Sequence, residues 1–409
     1  MKFLHLADLH FGKSIYGVSL LEKGDQPVWV ERFLQLVCEI QPDVIVIAGD
    51  VYDRSSPSGE AVALLDSMIT DLAEKEIPVI IVAGNHDSGQ RLSFGGSLLA
   101  KQRIHISGVL SKELPCVTLS DQEGPVNFWL MPYIFPSLVA QRLEDESIRD
   151  YDTAVRRLLE LQKIDFSQRN VLIAHQNVTA NGQESTRGGS ESMVGGVGQV
   201  DYSVFEGFDY VALGHIHSSY PVGRETIRYA GSPLCYHFNE TKQPVKGPIL
   251  VELGAKGTLP NIETKSIEPL HPMREIRGAY ETIRAEELQN TTQGEYVRIV
   301  LTDRRNEPNI YHFFRELFEK RGSVVMEVTS EYNQFQAMPS AAPSGTAEEL
   351  AIEELFAEFY TERFGGKTPD PQEQELLRFA GEQMRQAESD ISCQAEELRK
   401  FALEQEDAE

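Results

Sequence analysis

Five short apolar runs, each of four or five β-favouring residues, end in a cluster of side chains able to do chemistry. Phe3–Ala7 leads into Asp8-Leu9-His10, and Val44–Ala48 into Gly49-Asp50-Val51-Tyr52-Asp53. Val79–Ala83 leads into Gly84-Asn85-His86-Asp87, Val171–Ala174 into His175, and Tyr210–Leu213 into Gly214-His215-Ile216-His217. Runs of this length suit strands buried on both faces. Between them, Val28–Ile40 and Ala61–Glu74 carry helical apolar spacing and stop before Pro42 and Pro78. Alternation of this kind predicts layered α/β packing. In an open α/β sheet the loops at the carboxyl ends of strands face one crevice. The five clusters, spread over more than 200 positions, are therefore expected to meet.

The residue types narrow the chemistry. Asp8, Asp50, His10, His175, His215, His217 and the amide of Asn85 make a mixed nitrogen and oxygen donor set without thiolate, which suits manganese, iron or zinc. Asp8-x-His10 and His215-x-His217 put both members of each pair on one side of an extended segment. Glycine before Asp50, Asn85 and His215 allows a tight turn and close backbone approach. Seven donors are too many for one ion with an open position, but they suffice for two ions sharing a carboxylate. Asp8, His10, Asp50 and His217 are assigned to one ion; Asp50, Asn85, His175 and His215 to the other. His86, outside that shell, is assigned the leaving oxygen, with Asp53 to orient its imidazole. Asp87 is read as supporting or structural. A single histidine is usually a core or surface residue, but five of the ten (His10, His86, His175, His215, His217) fall in these clusters. His5, His105, His237, His271 and His312 lack such a context and are read as structural.

These residues resemble the calcineurin-like metallophosphoesterase superfamily, whose D-x-H, G-D-x-x-D, G-N-H-D, H and G-H-x-H signature is complete here over roughly residues 1–255. The resemblance implies a four-layer β-sandwich flanked by helices and a dimetal phosphoester hydrolase. Within the superfamily, LHLADLHFGK, AGDVYDRSSPS, AGNHDSGQRL, ALGHIHSSYPV and YAGSPLCYHFNE resemble the bacterial nuclease subunits that work with a large SMC-like ATPase. That likeness implies two divalent cations, manganese foremost, and DNA as substrate. It further implies 3′-to-5′ double-strand exonuclease and single-strand or hairpin endonuclease action in DNA repair, recombination and replication. The assembly it implies has two copies of each chain. Archaeal and eukaryotic counterparts usually carry histidine where Asp53 stands, whereas in many phosphatases of the superfamily an aspartate there supports the catalytic histidine.

Four segments are expected: a nuclease domain over 1–272, a small α+β capping domain over 273–335, a Pro/Ala/Ser-rich linker over 336–345, and an acidic helical segment over 346–409. In the small domain, Tyr296–Leu301 and Ser323–Thr329 read as strands and Ile310–Lys320 as an amphipathic helix. The last segment spaces Leu377, Ala380, Met384, Ala387, Ile391, Leu398 and Phe401 as a narrow apolar seam, suited to docking on a helical partner or to folding back on its own domain. Asn181–Gly198 reads as a Gly/Ser-rich loop; its Gly195–Gly198 lacks the strand and Gly-Lys-Ser/Thr of a phosphate loop.

Charge argues the other way. Net charge is −25, with 18 acidic against 6 basic residues between Gly345 and Glu409, so the average surface repels polyanions. Two divalent ions offset this where a phosphate must sit. Lys13, Arg54 and Arg91 follow the motifs closely and are candidate phosphate contacts, or simply solubilising. Cys38, Cys116, Cys235 and Cys393 form no CxxC pair, which fits a reducing cytoplasm, near the nucleoid for a DNA enzyme. The chain shows neither a secretory leader nor an apolar stretch of membrane length. Other readings are a phosphatase or cyclic-nucleotide phosphodiesterase with the same centre, a scaffold that has lost the chemistry, and a DNA-end tether.

Overall fold

The computed structural model describes residues 1–180, 198–242, 245–303 and 309–331. The linker, the acidic tail and nearly all of the Gly/Ser-rich loop lie outside these residues. Two six-stranded sheets dominate. In the first, Lys2–Leu6, Val44–Ala48, Val79–Val82 and Ile104–Ser107 run parallel. Ile249–Glu252 and Asn261–Thr264 complete it, antiparallel to their neighbours, beside Lys2–Leu6. In the second, Gly124–Met131, Arg169–His175, Tyr210–Gly214 and Arg224–Tyr229 run parallel, with Cys116–Asp121 and Tyr220–Val222 as antiparallel edges.

Strand alternation explains the layers. Phe3, Val44, Val46, Ile80 and Val82 of the first sheet share one buried cluster with Phe128, Leu130, Val171, Ile173 and Ala212 of the second. The alternate residues Leu4, Leu6, Ile45, Ile47 and Ile81 face outward, to Trp29, Phe33 and Val37 of helix Asp25–Ile40 and Leu65, Met68 and Leu72 of helix Gly59–Glu74. On the far side Leu172, Ala174, Val211 and Leu213 pack on Val139, Val155 and Leu158 of helices Pro136–Leu143 and Tyr151–Glu160. The result is the four-layer stack. Helix Gly59–Glu74 begins two residues before the periodicity suggested, because Ser58 accepts a capping bond from the Ala61 N–H.

Residues 273–330 add three parallel strands, Met273–Gly278, Tyr296–Leu301 and Val324–Ser330, with helices Tyr280–Gln289 and Ile310–Glu319. Ile276, Ile283, Ile299, Phe314 and Phe318 give this part its own core. It belongs to the same compact unit as the sandwich. The junction is polar at its centre: the buried Asp25 carboxylate accepts from Tyr296 OH (2.6 Å) and faces His271 Nδ1 at 2.9 Å. No helix among the described residues is long and apolar enough to cross a membrane.

Candidate metal centre

Parallel pairing brings the strand ends together, and main-chain bonds then zip the loops. Asp8 N–H donates to Gly49 O (3.0 Å), and His10 N–H to Asp50 O (2.9 Å). Asp87 ties the next loop in by accepting from the N–H groups of Val51, Tyr52 and Gly84. The Asp8 carboxylate takes the His215 N–H at 3.0 Å, linking the first sheet to the second. Asp8, His10, Asp50 and His215 all adopt positive φ (54°, 43°, 49° and 103°). Such a backbone is costly without glycine and is retained where it aims side chains.

All seven candidate donors converge. His10 Nε2 lies 3.2 Å from His217 Nε2, and Asp50 Oδ2 lies 3.6 Å from His10 Nε2. On the other side Asp50 Oδ2 is 3.3 Å from His175 Nε2, and Asn85 Oδ1 is 3.1 Å from His175 Nε2 and 3.0 Å from His215 Nδ1. Potential ligand atoms of Asp8, His10 and His217, and of Asp8, Asp50 and His175, lie within 4.8 Å of one another. Asp50 Oδ2 therefore faces an imidazole of each half, and Asp8 belongs to both of these ligand groups. Asp8, His10, Asp50, His175, His215 and His217 are buried, whereas Asn85 is exposed and His86 half-buried, so the crevice opens on their side.

The donors fit divalent cations. Bonds of about 2.0–2.2 Å to nitrogen or oxygen put neighbouring ligand atoms about 3.0–3.5 Å apart, the spacing found here. Asp50 Oδ2 accepts no hydrogen bond although two imidazoles face it, which suits an atom with a cation to bind. Burial raises the Asp8 carboxyl to about 6. Burial also acts to raise Asp50, but the neighbouring His175 charge overrides it and holds that carboxyl well below the usual range.

Several imidazoles are fixed from behind. His175 Nδ1 bonds the Ala48 carbonyl at 2.8 Å, leaving Nε2 toward the crevice. His217 Nδ1 lies 3.3 Å from Glu240 Oε1, while Glu240 Oε2 accepts from Lys246 Nζ (2.7 Å), Ser232 Oγ (3.2 Å) and Tyr236 N–H (3.3 Å). Burial opposes ionisation of Glu240, but the contacts with His217 and Lys246 bring its carboxyl down to about 2. Carboxylates behind metal-bound histidines fix tautomer and raise basicity. Sequence reasoning missed Glu240 and Lys246; YAGSPLCYHFNE was noticed only as a likeness.

His86 sits where its main-chain N–H donates to Asp50 Oδ1 (2.9 Å) and its Nδ1 lies 3.0 Å from the Asp53 carbonyl oxygen. The Asp53 main-chain oxygen thus faces this imidazole. The Asp53 carboxylate takes Lys13 Nζ at 2.7 Å and lies 3.6 Å from His10 Nδ1. Arg91 bonds Ser55 O and Ser56 Oγ, so it and Lys13 are engaged within the protein, while Arg54, 82% exposed, lies 3.8 Å from the Asp53 carboxylate. His5 lies in the core against Tyr210.

Fold and donor set define a metal-dependent phosphoesterase. The calcineurin-like phosphoesterase family matches residues 1–219, and the type 5 capsule protein repressor C-terminal domain matches residues 269–364. The D subunit of nuclease SbcCD from Staphylococcus saprophyticus subsp. saprophyticus is 36% identical over 74% of this chain and 78% of its own length. Its namesake in Staphylococcus epidermidis is 35% identical over 74% and 79%. A solved structure from Thermus thermophilus covers 56% of this chain and 89% of its own with a TM-score of 0.34 at 12% identity, too loose a likeness to carry an inference. The chain belongs to the calcineurin-like phosphoesterases and, within them, to the family of SbcD nuclease subunits. Divalent-metal binding comes with that membership.

Proposed function

We propose that this chain is the metal-dependent DNA nuclease subunit of an SbcCD-type complex, hydrolysing phosphodiester bonds. The observation that carries this reading is the convergence of seven nitrogen and oxygen donors in two halves that share Asp50. Asp8, His10, Asp50 and His217 would hold one divalent ion, and Asp50, Asn85, His175 and His215 the other; the donor set suits manganese, iron or zinc, and the family resemblance puts Mn2+ first. When bound, such ions polarise water and neutralise charge on phosphoryl oxygens. His86, half-buried at the crevice mouth and held by the Asp53 carbonyl, protonates the departing oxygen. Ligand atoms of His86 also lie within 4.8 Å of those of His10 and Asp50, close enough to act beside the ions.

The finer reading extends the family resemblance of the motifs. It comprises 3′-to-5′ exonuclease action on duplex ends, endonuclease action on single strands and hairpins, an SbcC-type SMC-like ATPase partner, and a heterotetramer with two copies of each chain in the cytoplasm. Residues 273–335 would cap the substrate and 346–409 would dock the ATPase. A phosphatase or cyclic-nucleotide phosphodiesterase is the second reading, favoured only by the shared centre. Incubating the purified chain with Mn2+, with and without the ATPase, on linear duplex, hairpin DNA and phosphomonoesters decides. Cleavage of DNA is expected; hydrolysis of monoesters alone would reject the nuclease reading.

A further inference from the structure

A sixth strand-end loop reaches the crevice and carries no charge. Strand Gly124–Met131 runs parallel to Arg169–His175, so its carboxyl end opens beside His175, and the chain continues as Pro132-Tyr133-Ile134-Phe135-Pro136. The Tyr133 ring lies 6.1 Å from each of the His175 and His215 rings. Its N–H donates to Ala83 O (2.8 Å), next to the Gly84-Asn85 turn, and its hydroxyl lies 3.3 Å from that of Tyr151. Ile134 is fully buried and anchors the loop, while Phe135 is 52% exposed. Phe135 packs edge-on to Tyr133, 5.0 Å between centroids. Pro136 behind it disfavours helical backbone, and Phe135 is extended at φ −107° and ψ 138°. The aromatic pair is thus preorganised, with one ring presented to solvent beside the metal centre.

This bears on how an acidic chain holds a nucleic acid. Lys13 and Arg54 face the Asp53 carboxylate, Arg91 bonds Ser55 and Ser56, and net charge is −25. Stacking on an aromatic face is independent of that charge and tolerates any base. We propose that Phe135, buttressed by Tyr133, is a stacking platform for an unpaired nucleobase flanking the scissile phosphodiester. A base inside a duplex has both faces covered by its stacked neighbours, so the platform favours single-stranded, frayed or terminal bases. The inference rests on the nuclease reading above.

The test uses the Mn2+-loaded full chain, with Phe135→Ala and Phe135→Trp, on a single-stranded oligonucleotide and on the same strand made abasic at the nucleotides flanking the cleaved bond. Phe135→Ala is expected to lose roughly tenfold or more in kcat/KM on the base-bearing strand, mainly through KM, and Phe135→Trp to restore it. On the abasic strand, wild type and Phe135→Ala should be equally slow. Wild-type kinetics for Phe135→Ala on the base-bearing strand would overturn the platform, as would the same proportional loss on the abasic strand. Failure of the wild type to cut either strand would remove the nuclease reading and this inference together. Cutting of both strands at one rate would remove the platform alone.

Discussion

Glu240 Oε1 lies 3.3 Å from His217 Nδ1, and Lys246 Nζ holds the other oxygen of that carboxylate at 2.7 Å. The relay is buried and sits behind an imidazole whose Nε2 faces His10. Glu240→Ala should weaken Mn2+ binding about 10- to 100-fold, with Glu240→Gln in between. Calorimetric titration of the metal-free protein checks this; unchanged affinity would remove Glu240 from the site.

His86→Ala should retain Mn2+ affinity and lose about 10²- to 10⁴-fold in DNA cleavage rate. Asp53→Ala keeps the main-chain carbonyl that faces His86 Nδ1, so its loss should be much smaller. Single-turnover rates at saturating metal, beside metal titrations, separate the two. Weakened metal binding in His86→Ala would make that imidazole a ligand.

Gly84 has no positive φ, yet a Cβ there would overlap the Asp50 carboxylate and main-chain nitrogen. Gly84→Ala must displace the shared ligand, at about 1–3 kcal/mol for overpacking. Metal binding should fall sharply, with a melting-temperature drop of a few degrees for the metal-free chain. Normal metal affinity would show that the loop can shift without moving Asp50.

His5 is fully buried, its Nδ1 3.1 Å from Tyr210 OH. Burial brings its pKa from 6.5 down to about 3, with the Arg228 charge adding to the shift and a Leu213 main-chain bond opposing it. The unfolded chain takes up this proton below about 6.5 and the folded chain does not. Stability from this group is therefore full above pH 6.5 and lost as pH falls toward 3, by up to about 1.4 kcal/mol per pH unit. Denaturant midpoints measured from pH 7 to pH 4 should fall more steeply for wild type than for His5→Leu. Parallel curves would show that His5 does not set the slope.

Deleting residues 345–409 should abolish co-purification with the SMC-like ATPase while Mn2+-dependent cleavage by the shortened chain persists. Undiminished co-purification would place the docking surface elsewhere.

Local chemistry was legible in the linear chain because strand, turn and donor lie within a few residues of each other. Val44–Ala48 followed by Gly49-Asp50 specifies a buried strand ending in a carboxylate without reference to anything distant. Layered α/β packing followed from the same alternation, whereas the four-layer sandwich was implied by the family resemblance of the motifs. What a sequence does not carry is the contact geometry between the donors. Only the register of two sheets sets Asp50 between His10 and His175, and His217 against His10. The positive φ of Asp8, His10, Asp50 and His215 is likewise imposed by long-range bonds such as Asp8 N–H to Gly49 O, since local preference disfavours it. Glu240, Lys246 and Tyr133 were invisible for the same reason: glutamate, lysine and tyrosine are ordinary in type, and only the packed layers set Glu240 beside His217, Lys246 beside Glu240 and Tyr133 beside His175 and His215.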